Sequence, residues 1–232
     1  MIRLLDIFFA LLGLFVLGIF MLGATVINLC TGEHKVFYRQ NRVGKHGESF
    51  KLYKFATMVE NSPNLAGGLV TAANDPRVLP FGRFLRRTKV NELPQLFNIL
   101  IGDMSFVGPR PQTRLHYDLF SPQQKLVIDA IGPGLTGVGS LFFRNEEELL
   151  ARCGDDPIRF HDEVITPYKG DLEVWYAKHR SMFLYFMIIY LTAASIVNRK
   201  LVTIKYFNGI PKPPEELLRL LTDAQRALFE CH

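Results

Sequence analysis

The chain has 232 residues, which is enough for one domain with a sizeable hydrophobic core. Its net charge of +5 fits an anionic partner such as a membrane surface, a nucleotide or a nucleic acid, and the 48% of hydrophobic residues favours the membrane. Nucleic acid is the least favoured of these partners, because the basic residues adjoin apolar segments and are not expected to have exposed aromatic residues interleaved among them.

Cysteine and histidine usage supports neither a disulfide framework nor a metal centre. The three cysteines, Cys30, Cys153 and Cys231, are odd in number and far apart, which favours a reducing cytosolic environment for the soluble part. The six histidines show no metal-ligand spacing. They are His34, His46, His116, His161, His179 and His232.

The first apolar run covers residues 7–29, and its length is sufficient for a helix that reaches across a bilayer core. Arg3 and Asp6 precede it without a cleavage site of small residues, so we predict a retained anchor rather than a removed signal peptide. A buried core helix is the alternative, but it would be unusually long and apolar all round. The following flank is cytoplasmic by the positive-inside bias. Its cations are Lys35, Arg39, Arg42, Lys45, Lys51 and Lys54.

Two elements are predicted between this anchor and residue 90. Residues 49–58 alternate apolar and polar side chains and predict a strand on which Lys54 faces a ligand. Residues 61–68 have the composition of a loop, and residues 79–87 form a basic helix with Arg86 nearest the site. A solvated or headgroup-facing surface is the alternative for the other arginines of that helix, Arg83 and Arg87.

The central stretch, residues 74–111, concentrates charge, turn residues and amides. Five cations and no acid lie in residues 77–89, and Asn91 and Glu92 follow them closely. Asparagine is a preferred N-cap and proline is tolerated in a first turn, so we expect a helix over residues 91–100. Free amides and the helix dipole at such a terminus bind anions, and Glu92 in that field predicts a divalent-cation ligand. Gly102 is the expected stop of this helix.

The end of the central stretch is a rigid turn, GPRP at residues 108–111. Prolines fix φ on both sides of Arg110, which would hold it ready for a diphosphate or uracil contact. An ordinary surface turn is the alternative for this segment. Asp75 and Asp103 are likewise open to interpretation, as site residues or as turn and cap residues.

The second half of the chain is predicted to be helical. Helices are expected from Ser121-Pro122 to Gly132 and from residue 145 onwards, with a glycine-rich turn at residues 133–139. Residues 182–197 are apolar but short for a span, so a helix in the membrane interface or beneath the domain is favoured over a second crossing. Residues 214–229 predict one amphipathic helix that docks onto the membrane, the domain or a second copy of the chain. Docking onto a second copy would form a homodimer.

Seven ordered motifs resemble the bacterial sugar transferases known as monotopic phosphoglycosyl transferases. The similarity covers residues 3–175, and several motifs in order are far more specific than any one of them. They are RQNRVG (39–44), KLYKF (51–55), NDPRV (74–78), GRFLRRT (82–88), NELPQL (91–96), GDMSFVGPRP (102–111) and PGLTG (133–137).

The resemblance implies a membrane-associated α/β fold, mostly α with a small sheet. It implies an anchor at residues 1–32, a cytoplasmic catalytic domain at residues 33–180 and interfacial helices at residues 181–232, on the bacterial inner membrane. The anchor of the family is re-entrant and usually carries a Ser-Pro break, which is replaced here by Leu17-Gly18. A glycine does not kink a helix as proline does, so re-entrant and spanning helices both stay open, with the former favoured.

The family reaction, as implied by the resemblance, transfers a sugar 1-phosphate from a UDP-sugar to polyprenyl phosphate with Mg²⁺ and releases UMP. It is the first membrane step of glycoconjugate assembly. An Asp-Glu pair of the family attacks the β-phosphate and binds Mg²⁺; here the pair is Asn91-Glu92, and an amide cannot replace a carboxylate nucleophile. Three interpretations remain: another route through Glu92, Asp103 or direct attack by the lipid phosphate; inactivation, which leaves a nucleotide-binding or scaffold protein; or an N-cap role only. The first is favoured.

The implied site therefore combines catalytic and substrate-binding groups of the central stretch with Lys54, which precedes it. Glu92 is the metal ligand, and Asn91, Glu92 and Asp103 are the catalytic candidates. A further expected cation, two positions after Lys54, is replaced by Ala56. The substrate-binding candidates are Lys54, Arg77, Arg86, Arg110 and Pro111.

Overall fold

A computed structural model describes residues 2–65, 75–154, 156–198, 201 and 203–230. It contains two compact units, Met1–Arg42 with Ser49–Ser105 and Val43–Glu48 with Phe106–His232. Asn74, at the start of the central stretch, and the last three residues of the predicted 61–68 loop lie outside the described residues. The proposed division at residues 32 and 180 concerns membrane association and stays a prediction.

The described chain is mostly helical with little sheet, as predicted. The strands pair as β1 (Phe37–Val43) with β2 (Ser49–Phe55) and β3 (Ser105–Val107) with β4 (Gly134–Thr136). The helices of the first unit are α1 (Ile2–Cys30), α2 (Pro80–Thr88) and α3 (Gln95–Ile101). Those of the second are α4 (Arg114–Asp118), α5 (Pro122–Ile131), α6 (Val138–Phe142), α7 (Glu146–Leu150), α8 (Pro157–Phe160), α9 (Thr166–His179), α10 (Met182–Val197), α11 (Glu215–Leu220) and α12 (Asp223–Glu230).

Helix α1 is apolar enough to cross a membrane, and it is the one such helix of sufficient length among the described residues. Only 17% of its most apolar window is buried, so it is not a core helix. One narrow face, with Met21 and Ala24, packs onto Phe55 and Leu85 of the first unit. The opposite face leaves large apolar side chains exposed, including Phe15 at 87%.

Polar residues attach both ends of α1 to the same unit. Near the start, buried Asp6 accepts a hydrogen bond of 2.8 Å from the hydroxyl of Ser105. Near the end, the Asn28 amide donates to the carbonyl oxygens of Ala56 at 3.2 Å and Val36 at 3.4 Å. Helix α1 therefore lies along the first unit over its whole length, which its composition alone did not predict.

The second unit is built around α9, which contacts α5 and α6. Helix α5 begins as predicted, with a complete capping box between Ser121 and Gln124. Gln124 then crosses to α9, where its amide donates to Asp171 at 2.8 Å. Helix α10 has the predicted bounds, residues 182–197, and packs on α6.

The single helix predicted over residues 214–229 is wrong. The chain forms α11 and α12, because Leu221 is extended with ψ 154. Thr222 then starts a new helix, with its amide and hydroxyl donating to the side chain of Gln225 at 3.1 and 2.9 Å. This Thr-x-x-Gln pattern is a capping signal that competes with the continuous apolar face.

Candidate active site

The turn that holds Asn91 and Glu92 differs from the predicted helix start. Residues Val90–Glu92 form a 3₁₀ turn, and α3 begins only at Gln95, with Pro94 at its N-cap. Asn91 therefore makes no capping bond, and the helix amides expected beside it lie further along the chain. The C-terminal stop is as predicted, since Gly102 has φ 101 and donates to Asn98 and Ile99.

Asn91 is buried inside this turn, with 7% of its surface exposed. Its Oδ1 has no hydrogen-bond partner among the described residues. A buried acceptor without a partner costs free energy, so such an atom is more typical of a binding site than of a packed core. The half-buried Glu92 comes directly after it.

The Asn91-Glu92 turn contacts both β2 and α2. Strand β2 begins at Ser49 as predicted, ends at Phe55, three residues before the predicted limit, and carries the half-buried Lys54. Helix α2 carries Arg86, which is half-buried with its guanidinium 4.0 Å from the Met58 sulfur. The first unit therefore brings together the segments of Lys54, Arg86 and Glu92, which are far apart in sequence.

Gly82 explains why α2 sits so close to the chain that leaves β2. A methyl group at this position would lie 2.1 Å from the carbonyl oxygen of Thr57. The amide of Leu79 also donates to that oxygen at 3.0 Å. The glycine of the GRFLRRT motif is thus required by backbone packing, which sets the distance between α2 and the end of β2.

Asp103 has a role in the fold of this unit. Its carboxylate accepts from the Asn98 amide at 3.1 Å. The fully buried Asn98 in turn donates to the Lys51 carbonyl oxygen at 2.8 Å and accepts from the Tyr53 amide at 3.0 Å. Asp103 thereby orients the side chain that fastens α3 to β2. Its catalytic role stays a prediction.

Arg77 and Asp75 form a buried ion pair. The guanidinium donates from Nε to Oδ1 at 2.9 Å and from Nη2 to Oδ2 at 2.6 Å, and a third bond of 2.9 Å reaches the Ser62 carbonyl oxygen. The hydrogen bond to Asp75 raises the pKa of Arg77. Both residues therefore hold the loop before α2 in place, and the predicted substrate contact of Arg77 stays a prediction.

The GPRP turn belongs to the second unit and is held by a close backbone crossing. Gly108 donates to the Thr136 carbonyl oxygen at 2.9 Å, and Gly134 donates to that of Pro109 at 2.8 Å. A methyl group on Gly134 would lie 2.1 Å from the Gly108 nitrogen. The PGLTG motif thus supports the turn that presents the half-buried Arg110, with Pro111 buried beside it.

The comparisons with known proteins identify the family. The family model for bacterial sugar transferases matches residues 1–199. The chain belongs to this family. A Bacillus subtilis relative, provisionally named an undecaprenyl-phosphate N-acetylgalactosaminyl 1-phosphate transferase, is 40% identical over 133 residues, which are 57% of this chain and 73% of the relative.

Two further bacterial sugar transferases are longer than this chain. The undecaprenyl-phosphate galactose phosphotransferase of Salmonella typhimurium is 34% identical over 70% of the chain and 33% of its own length. The UDP-N-acetylgalactosamine-undecaprenyl-phosphate N-acetylgalactosaminephosphotransferase of Aeromonas hydrophila is 30% identical over 83% of the chain and 42% of its own length. The chain thus spans less than half of these two relatives. Their names give no support to the alternative of an inactive scaffold protein.

Two buried features of this bacterial sugar transferase were not predicted from the sequence. Glu173 of α9 is 4% exposed, and burial raises the pKa of its carboxyl to about 8, although the Gly139 amide donates to it. Glu173 is buried in the same helix as the apolar and aromatic residues Leu172 and Tyr176 that lie close to it in sequence, and these neighbours were the available signal.

The second cluster contains histidines, contrary to the expectation from their spacing. The rings of His116 and His161 lie 4.7 Å apart, beside Asp162 and Glu146. Burial opposes ionisation of Glu146, but the Lys169 ammonium and the hydrogen bond from His161 outweigh it and lower its pKa to about 2. Sequence spacing could not show this cluster, because His116 and His161 come from elements that are distant in the chain.

Proposed function

We propose that this protein transfers a sugar 1-phosphate from a UDP-sugar to a polyprenyl phosphate and releases UMP, as an early membrane step of polysaccharide assembly. The observation that carries the proposal is the convergence of β2, α2 and the Asn91-Glu92 turn in a member of the bacterial sugar transferase family. The names of the relatives, which are sugar phosphotransferases acting on undecaprenyl phosphate, support the same substrates.

Both substrates are phosphates, so the site must offer cations in one place. Lys54 and Arg86 lie on the two elements that the Asn91-Glu92 turn contacts, and each is half-buried. Fixed cations that are shielded from water stabilise the charge on a transferring phosphoryl group without reorganisation. Arg110, on its rigid turn in the second unit, stays a predicted diphosphate contact.

The proposed cofactor is Mg²⁺, and the donors of the turn fit it. Glu92 supplies a carboxylate, and the neighbouring Asn91 supplies a buried amide oxygen that lacks a hydrogen-bond partner among the described residues. Mg²⁺ takes oxygen ligands, usually one or two from the protein together with substrate phosphates. When bound, the ion would neutralise charge on the diphosphate, and Glu92 is the residue that would hold it.

We propose direct attack by an oxygen of the polyprenyl phosphate on the β-phosphorus of the UDP-sugar. A phosphorus–oxygen bond forms to the lipid phosphate, the bond to UMP breaks, and UMP leaves with the electron pair. The residues support this route because Asn91 has no carboxylate, while Asp75 and Asp103 make hydrogen bonds within the fold. Glu92 is then a ligand rather than a nucleophile.

The proposed location is the cytoplasmic leaflet of the bacterial inner membrane. Both ends of α1 are bound to the first unit through Asp6 and Asn28, which favours a helix that enters the leaflet over one that crosses. Its exposed apolar face is the proposed lipid contact. Helix α10, with Phe183 76% and Tyr190 70% exposed, is a proposed second contact at the interface.

UMP release by the detergent-solubilised full chain tests the function, with a panel of UDP-sugars, polyprenyl phosphate and Mg²⁺. Glu92→Gln should abolish release, while Glu60→Gln, which changes an exposed carboxylate paired with Lys35, should leave it unchanged. Unchanged turnover in the presence of EDTA would contradict the Mg²⁺ proposal. No release with any sugar of the panel would contradict the activity itself.

A further inference from the structure

A cluster of nitrogen and oxygen donors lies in the second unit, and none of its members belongs to the predicted active site. One ligand atom from each of His116, His161 and Asp162 lies within 4.8 Å of the others. Both histidines are buried, whereas the Asp162 side chain is 28% exposed, so the cluster has a side that faces solvent.

His161 is held between two carboxylates. Its Nε2 lies 3.3 Å from Glu146 Oε1, and its Nδ1 lies 2.7 Å from Asp162 Oδ1. Glu146 is fixed in turn by Lys169, whose ammonium donates to both carboxylate oxygens at 2.8 Å. A histidine that donates one ring N–H to a carboxylate presents its other nitrogen as an acceptor, which is the usual arrangement behind a metal-binding imidazole.

In that tautomer, the Nδ1 lone pair of His161 faces the Asp162 carboxylate, so the contact needs a cation or a proton between them. A proton between these two atoms would account only for the contact between His161 and Asp162. His116 Nε2 approaches the same Asp162 oxygen from 3.8 Å, which is too long for a hydrogen bond. Donors about 2.0–2.1 Å from a tetrahedral metal are roughly 3.3 Å apart, so small movements of these three groups would place them around one ion.

We infer that His116, His161 and Asp162 bind a borderline transition-metal ion of the Zn²⁺ class, with Glu146 orienting His161. Two imidazoles and one carboxylate suit Zn²⁺ and Co²⁺, whereas Mg²⁺ prefers oxygen ligands alone. Three protein ligands leave a fourth position, which the exposed side of Asp162 opens to water.

The local fold is consistent with a metal that links two segments of the second unit. His116 lies on α4, which follows the GPRP turn, and His161 and Asp162 lie in a single π-helical turn, His161–Ile165, between α8 and α9. Such turns insert one residue into a helix and often occur at functional sites. A metal here would join α4 to the long helix of the second unit and so support the segment that presents Arg110.

Cobalt titration of the untagged, chelator-treated full chain in detergent tests the site, in the presence of excess Mg²⁺. One equivalent of Co²⁺ should give visible d–d absorption of a tetrahedral ion, and Zn²⁺ should displace it. Asp162→Asn and His161→Gln should lose the absorption. The matched control is His179→Gln, a histidine that stacks on Trp175 outside the cluster, and it should retain the signal.

Two further measurements make the outcome decisive. Zn²⁺ should raise the thermal midpoint of the wild-type chain but not of Asp162→Asn. This variant changes a partly exposed side chain, and its circular dichroism spectrum should match that of the wild type. Absence of the absorption in the wild type, its persistence in both ligand variants, or its loss in His179→Gln would overturn the inference. Because these readouts need no turnover, they are independent of the proposed transferase activity.

Discussion

The guanidinium of Arg3 donates a hydrogen bond of 2.7 Å to the carbonyl oxygen of Leu100 and a second, shorter one to that of Ile99. These carbonyls end helix α3, where the helix dipole favours a cation. The residue that precedes the apolar run therefore belongs to the packing of the first unit. Gly13 also allows α1 to lie close to α3, because a methyl group at this position would lie 3.1 Å from the Leu96 side chain.

Asn28→Ala should weaken the attachment of α1 at its other end. The substitution removes two hydrogen bonds and leaves the Ala56 and Val36 carbonyl oxygens without these donors, at a cost of about 1–3 kcal/mol. The thermal midpoint in detergent measures the loss. Thr25→Ala is the matched control, since its hydroxyl donates to the Met21 carbonyl oxygen within α1, and an equal decrease in that variant would contradict the assignment.

Gly82→Ala should reduce both stability and activity. Its methyl group would lie 2.1 Å from the Thr57 carbonyl oxygen, so α2 must shift away from β2, which typically costs about 1–3 kcal/mol. The shift carries Arg86 away from the segment of Lys54, so UMP release should decrease as well. Gly18→Ala, with nothing within 4 Å of the added methyl, should be neutral or stabilising. Equal midpoints for the two variants would refute the packing argument.

Local patterns predicted several elements correctly. The bounds of α10 follow from composition alone, and the Ser121-Pro122 start of α5 follows from local capping chemistry, so each depends only on neighbouring residues. Capping chemistry was also present at Thr222, where the amphipathic pattern concealed it. A local sequence pattern therefore predicts an element correctly where no other pattern competes with it. Where capping and amphipathic patterns compete, as at Thr222, only the tertiary structure shows which of them determines the helix bounds.

The sequence predicts a catalytic role for the Asn91-Glu92 segment, but it did not predict the geometry of this turn. The helix prediction at Asn91 relied on its N-cap preference, whereas packing against β2 and α2 imposes a 3₁₀ turn that buries the side chain. The pairing of His116 with His161 depends on how α4 and the π-turn pack. Neither the packing of the Asn91 turn nor the pairing of the two histidines can be predicted from the spacing of residues along the chain.

Glu173→Gln should change how stability depends on pH. The folded-state pKa is raised from 4.5 to about 8 by burial, so between these values the folded state retains a proton that the unfolded state has released. The unfolding free energy of the wild type should therefore fall by about 1.4 kcal/mol per pH unit over this window and become level above it.

Glutamine in place of Glu173 keeps the acceptor for the Gly139 amide and removes the titration. The variant should be more stable than the wild type near pH 8, and the difference should vanish near pH 4.5. Thermal midpoints across this range provide the measurement. Glu163→Gln, at an exposed residue paired with Arg159, should follow the wild-type profile, and a variant of Glu173 that also follows it would disprove the buried neutral carboxyl.

Asn91→Ala and Asn91→Asp together test the proposed reaction. Since Asn91 caps no helix and its Oδ1 lacks a partner among the described residues, Asn91→Ala should leave the thermal midpoint unchanged or raise it while UMP release decreases. A loss of about 1 kcal/mol, the usual value of an N-cap, would show that the side chain supports the fold after all.

Asn91→Asp introduces a carboxylate nucleophile beside Glu92. This variant should release UMP before the acceptor is added. With direct attack by the lipid phosphate, the wild type releases no UMP from a UDP-sugar until polyprenyl phosphate is added. The Asp variant can form a bond from its carboxylate to the β-phosphorus, so it should release UMP without acceptor, up to one equivalent, and gain a phosphosugar adduct in its intact mass. An acceptor-independent burst from the wild type itself would mean that another side chain, with Glu92 first among them, forms the covalent intermediate. Peptide mapping of the adduct would then identify that side chain, whereas loss of the burst in Glu92→Gln would not, because this variant also lacks the proposed Mg²⁺ ligand.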